Sequence, residues 1–137
     1  MSRHLLITPS FQKYLKKVKR HFTEQDIQAN LNEFLRLGFR KGESTLKTVK
    51  YGQVTIRIVK LRIRVYQAVG RYIVGIINDQ EYLPIFIDLK TGLYGKNLSF
   101  EGEKRVVDML EKAFQHVLTD YLEHTEEHPR LTKYDLG

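Results

Sequence analysis

"VTIRIVKLRIRVYQ", residues 54–67, decides the fold. In its second half Leu61, Ile63 and Val65 are apolar and alternate with Lys60, Arg62, Arg64 and Tyr66. Successive side chains of a strand point to opposite faces, so this half reads as a half-buried strand with a row of cations on its outer face. The first half is apolar on the other parity, at Val54, Ile56 and Ile58. A regular strand does not change its buried face, so the switch at Ile58–Val59 predicts a bulge or a sharp twist.

Toward the C-terminus, "AVGR" (68–71) turns the chain into "YIVGIIN" (72–78), a near-continuous apolar strand. "DQ" (79–80) turns it again into "EYLPIFIDL" (81–89), whose Pro84 favours an edge or a strand start. The glycine-rich "KTGLYGKNLSFEG" (90–102) is a loop, and an apolar stripe from Val106 to Tyr121 predicts a helix over 103–122. The last stretch, "EHTEEHPRLTKYDLG" (123–137), reads as a polar, loosely held tail. Within it His124 and His128 stand four apart around Glu126 and Glu127, a weak ligand pattern in a polar segment, and no metal or cofactor is expected.

Toward the N-terminus, "GQ" (52–53) is a turn, residues 45–49 are strand material and "GFRKGES" (38–44) is a loop. Two helices precede it. Thr8 caps the first, Pro9 suits its first turn, and Phe11, Tyr14, Leu15, Val18 and Phe22 form its stripe over 8–22. "TEQD" (23–26) starts the second with a capping-box-like signal, and Gly38 stops it. So short a connection predicts that the two pack antiparallel. "HLLIT" (4–8) is a first strand.

The resulting order is β-α-α-β-β-β-β-α, an α+β domain over 1–122 with the tail 123–137 appended. Strands joined by tight turns pair antiparallel. The helices are expected mainly on one face, leaving the other available.

The 137 residues suit one domain, and the absence of cysteine excludes disulfides and thiolate metal sites. No stretch reaches the roughly 20 apolar residues that cross a bilayer, and the N-terminus lacks a signal-peptide core. The chain reads as soluble and cytoplasmic, with no membrane partner. Charge is unevenly placed. Residues 1–71 hold 16 Lys and Arg against 4 Asp and Glu, whereas residues 72–137 hold 7 against 12. A basic half of that size favours a polyanionic partner through counterion release, a nucleic acid in the first place with a membrane surface as the competing polyanion, against the plain alternative of a soluble protein that is merely basic. There is no phosphate-cradling glycine loop, dinucleotide fingerprint or nucleophile elbow.

Alternate strand residues project about 6.8 Å apart, close to the phosphate spacing of an extended nucleic-acid strand. Lys60, Arg62 and Arg64 can therefore track a phosphodiester backbone, and Tyr66 can stack a base. No acidic residue lies between 44 and 78 to offset them. Lys16, Lys17, Arg20, Arg57 and Lys90 are read as further nucleic-acid contacts, and Tyr94 and Lys96 sit in a glycine-rich loop expected to leave the sheet near one end of the row.

The element order, together with "ITPSFQKYLKKV" (7–18), "LRLG" (35–38), "KLRIRVYQ" (60–67), "GRYIVGII" (70–77) and "PIFIDLKTGLYGKNLS" (84–99), resembles the RelE/ParE toxin superfamily of toxin–antitoxin systems over about residues 4–100. The resemblance implies a small microbial-RNase-like sheet. It implies a metal-free endoribonuclease that cuts mRNA at the ribosome and inhibits translation, the ribose 2′-OH attacking the adjacent phosphate. It also implies a cognate antitoxin protein. Carried onto this chain, Lys60 and Arg62 clamp the backbone and activate the base, Arg64 and Arg71 stabilise the phosphorane, and Tyr94 and Lys96 stack or assist proton transfer. The family opens the strand after the basic one with Tyr-Arg, where this chain has Arg71-Tyr72. ParE-type relatives share the fold, are not nucleases and act on gyrase, which gives the alternative of an inhibitor or a plain RNA-binding domain.

Overall fold

The computed structural model describes residues 2–92, 94, 98–124 and 130–137. Its elements are β1 (Arg3–Ile7), α1 (Pro9–Lys17), α2 (Glu24–Leu37), β2 (Ser44–Tyr51), β3 (Val54–Val65), β4 (Ala68–Ile77), β5 (Glu81–Leu89), α3 (Lys104–Leu122) and β6 (Thr132–Leu136). The class is α+β, with one mixed sheet in the order β2-β3-β4-β5-β1-β6. The strands β2 to β5 form the antiparallel meander that their short turns dictate.

The helix caps follow the sequence. Thr8 accepts the Phe11 N–H at 3.1 Å, with Pro9 beginning α1. At α2, Thr23 and Asp26 exchange the reciprocal bonds of a capping box, and Gly38 at φ +75° ends the helix. The first helix is shorter than its stripe suggests. Its last turn tightens through bonds from Val18 to Leu15 and from Lys19 to Lys16. The chain then folds Phe22 back against the backbone at Gly70. A Cβ built at Gly70 meets the Phe22 ring at 2.7 Å and the Asp88 carbonyl at 3.1 Å. Gly70→Ala should therefore destabilise the protein by about 1–3 kcal/mol through overpacking; chemical denaturation measures it, and an unchanged midpoint would contradict this packing.

Two expectations are corrected by the sheet. The tail is not loose throughout: residues 132–136 form β6, paired antiparallel with β1 from Arg3↔Leu136 to Ile7↔Thr132. Leu131, Tyr134 and Leu136 pack on the core, and the Tyr134 hydroxyl donates to Glu24. That bond, with some burial, raises the Tyr134 pKa to about 12. Polar composition concealed the period-two pattern of so short a strand. Second, β1 runs parallel to β5 (Leu5↔Tyr82), so the sheet is mixed and β5 is an interior strand; Pro84 marks neither an edge nor a strand start but sits at the register shift opposite Val74, where a bulge accommodates it.

The helices also fail to share one face. Asn30 of α2 accepts from the Tyr72 hydroxyl, whereas Tyr121 of α3 donates to Glu81, the cross-strand partner of Ile77. Tyr72 and Ile77 have opposite parity on β4, whose pairing with β3 is continuous, so α2 and α3 cover opposite faces. In place of the expected antiparallel packing along α2, α1 makes its main contacts with β5 and α3. The phase change in β3 now has a cause. Ile56 and Ile58 are buried on the α3 side, and Val59, Leu61 and Ile63 on the α2 side. Each face is covered along a different part of one regular strand. The bulge lies on the neighbour: β2 skips Leu46 between Thr45↔Val59 and Lys47↔Ile58.

Candidate nucleic-acid interface

Beyond the reach of α3, the same face of the sheet carries the basic residues. Register sets them in rows. Lys60 faces Ile73, which faces Phe86; Arg62 faces Arg71, which faces Asp88; Arg64 faces Val69. Adjacent strands lie about 4.8 Å apart, so Lys60, Arg62, Arg64 and Arg71 form one patch. Among the described residues, the side chains of Lys60, Arg62 and Arg64 make no ion pair.

Each cation has its own surroundings. Lys60 is half-buried, and burial first, then the Arg71 charge, lowers its pKa below the usual lysine value. Arg62 donates to the Lys41 carbonyl at 3.3 Å and lies over Gly42. Arg64 is exposed and donates from Nε to the Tyr66 carbonyl at 3.2 Å. Tyr66, in the β3–β4 turn, has φ +55° and is 94% exposed.

One end of the patch is walled by aromatics. The Tyr94 ring packs edge-on against Phe86 at 5.9 Å, and the Arg105 guanidinium lies 5.8 Å from its centroid. Asp88 fixes that loop. Its carboxylate accepts the N–H of Leu89 at 2.8 Å and of Tyr94 at 3.1 Å. A Cβ at Gly92 would meet Asp88 Oδ1 at 2.3 Å, so a side chain there would expel the carboxylate. Tyr14 packs on Phe86 at 4.9 Å, and burial, helped by Tyr94, raises its pKa. The Lys17 ammonium lies 5.8 Å from the Tyr14 centroid, which brings Lys17 to this wall.

The remaining candidates scatter. Lys90 follows β5 and bonds through its N–H to Val69, beside the Arg64 row. Arg20 lines a cleft with Tyr66. Lys16 lines a separate cavity with Phe22, Glu24 and Tyr134. Arg57 is displaced from the group altogether: its odd parity puts it on the α2 face, 6.0 Å from the Phe39 ring. Lys96 lies outside the described residues, as do Glu126, Glu127 and His128. Among the described residues no three His, Asp or Glu converge as metal ligands.

Residues that were not singled out in the sequence support the patch from its edge. Where β2 stops, the backbone of Arg62 has no strand partner on that side. Glu43 Oε2 accepts its N–H at 2.7 Å, while Asn30 and Arg40 donate to its carbonyl at 2.9 and 3.3 Å. Arg40 forks onto Glu43 and also bridges Glu33 at 2.9 Å. Burial alone would raise the Glu43 pKa, but the bonds from Arg40 and the Arg62 N–H outweigh it and lower it. The only sequence signal is a single acid in the cationic loop "GFRKGES"; Asp88 is likewise a single acid in the apolar "PIFIDLK".

The arrangement offers anion binding along a flat face, a depressed lysine beside two arginines, and an aromatic wall. No family model, curated protein or solved structure matches the chain.

Proposed function

We propose that the chain is a RelE-type endoribonuclease, the toxin of a toxin–antitoxin pair, acting on mRNA at the ribosome without a metal. The observation that carries this reading is that Lys60, Arg62, Arg64 and Arg71 share the part of one sheet face beyond α3, three of them without a carboxylate partner among the described residues. In the proposed reaction, neutral Lys60 takes the proton of a ribose 2′-OH as its oxygen bonds to the adjacent phosphorus. Arg62 and Arg71 stabilise the charge that builds on the phosphorane oxygens. The P–O5′ bond then breaks, leaving a 2′,3′-cyclic phosphate, and the departing oxygen takes a proton from the Tyr94 hydroxyl. Lysine is an adequate base only when its pKa falls toward the working pH, which fits the environment of Lys60. The antitoxin in this reading is an acidic chain covering the patch.

One observation favours the non-nucleolytic, ParE-like alternative. Tyr72, which stands where the family's Tyr-Arg pair is inverted, is fully buried and donates to Asn30 on the far face. Its burial pushes its pKa well above the ordinary value. It can take no part at the patch, so the proton donor rests on Tyr94 alone. Adding the purified protein to translating ribosomes separates the two. Our reading expects mRNA fragments with 2′,3′-cyclic phosphate and 5′-hydroxyl ends, whereas arrest with intact mRNA favours the inhibitor.

A further inference from the structure

A cleft of about 730 Å³ opens between the α1–α2 connection and the β3–β4 turn. Lys19, Arg20, His21 and Thr23 form one side, and Val65, Tyr66 and Ala68 the other. Tyr66 is the unusual member. Turn positions with positive φ are normally held by Gly, Asn or Asp. The next turn obeys this, with Asn78 and Asp79 at φ 50° and 58°. At φ +55° and 94% exposed, Tyr66 adopts a conformation unfavourable for a bulky residue and gains no burial from its ring. Its backbone is tied to the cationic row, since Arg64 Nε donates to its carbonyl.

We infer that this cleft binds a base of single-stranded RNA, stacked on Tyr66, and that Lys19 and Arg20 hold the phosphate beyond it. The inference rests on the RNA-directed reading of the patch and extends its footprint. A strand following Lys60, Arg62 and Arg64 at one phosphate per alternate residue leaves β3 at this turn. Val65 and Ala68 have the parity of the α2 face, so the strand crosses the tip of the turn to enter the cleft; the next base then meets the exposed ring, and the following phosphate the cations beyond it. Every base has a π-face, so the subsite is sequence-tolerant. Thr23 bonds inward to the Asp26 N–H, which leaves recognition to the side chains of Lys19, Arg20 and Tyr66.

The test is fluorescence anisotropy with a labelled 2′-O-methyl RNA of about twelve nucleotides, within the span such surfaces cover. Methylation blocks 2′-OH attack, so binding is read without cleavage. Tyr66→Ala and Tyr66→Asn should each weaken binding about 10-fold, and Tyr66→Phe should not. Asn tolerates the turn conformation, so Tyr66→Asn should melt no lower than the parent, which separates lost stacking from a damaged fold. Arg20→Gln should flatten the slope of log affinity against log salt by about 0.7, one phosphate of a single strand. If the Tyr66 variants bind like the parent while Arg64→Ala binds more weakly, the cleft is not a subsite and the RNA-directed reading of the patch stands. If the parent does not bind the RNA at all, both fall.

Discussion

Lys60→Met should lower the rate of RNA cleavage by about 10²–10⁴-fold, the usual contribution of a positioned general base, while leaving most of the affinity for uncleavable RNA. The neighbouring arginines supply anion binding without it. Lys60→Arg sharpens the point: it keeps the charge but cannot be deprotonated, so binding should survive and cleavage should not. The pH profile carries the same signature. In the proposed reaction the reactive form of Lys60 is the neutral amine, so cleavage should rise with pH through an apparent pKa below that of an ordinary lysine, because burial and the Arg71 charge both lower it. Removing one cause moves the limb: Arg71→Gln should shift it to higher pH, apart from any loss of plateau rate. Folding responds with the same sign. The folded state holds the Lys60 proton less tightly than the unfolded chain, so this residue favours folding increasingly as pH rises from its folded to its unfolded pKa. Full cleavage by Lys60→Met would remove lysine from the chemistry.

Glu43→Ala should cost about 3 kcal/mol of stability, lowering the melting temperature by about 10 °C for a domain of this size. Its side chain is wholly buried and that of Arg40 is 24% exposed, so the substitution leaves a guanidinium largely out of water without its closest partner. It also leaves the Arg62 N–H without an acceptor at the sheet edge. Glu43→Gln keeps the shape and one acceptor but not the charge, and should cost less. The pH dependence is signed by the lowered pKa. Glu43 contributes its full stabilisation above the ordinary carboxylate pKa and loses it as pH falls through the lower folded value. The gap in unfolding free energy between the parent and Glu43→Gln should therefore narrow in acid. A gap that stays constant from neutral pH to strong acid would show that charge is not what Glu43 supplies. In the proposed reading the network also serves the patch, because it closes the edge of β3 beneath Arg62 and fixes the backbone from which that side chain extends.

Much of the local architecture could be read directly from residue order. Thr8, the Thr23–Asp26 pair and Gly38 mark helix ends with side chains that satisfy backbone groups within a few residues, so no distant partner is needed to see them. The strands β2 to β5 were legible because their turns are short and their apolar residues alternate or run continuously, but "AVGR" (68–71), read as a turn, belongs to β4, and the chain turns at Tyr66–Gln67 instead. The same alternation placed Lys60, Arg62 and Arg64 on one side of β3, and the cross-strand register added Arg71. Arg57 shows the limit: charge put it with the others, but parity assigns it to the opposite face.

What the sequence by itself determined about this protein is therefore its local order and the parity of its basic row, because caps, turns and the two-residue period of a strand act over short range. Tertiary structure alone decided what covers each face. The phase change at Ile58–Val59 is intelligible only once α3 is seen over Ile56 and Ile58 and α2 over the other parity. It alone decided that Thr132–Leu136 joins the sheet, since a short polar strand is stable only beside β1. It alone brought Glu43, Asn30 and Arg40 to the backbone of Arg62, residues 19 to 32 positions away in sequence. These outcomes follow from long-range burial and hydrogen-bond satisfaction, which no window of neighbouring residues contains.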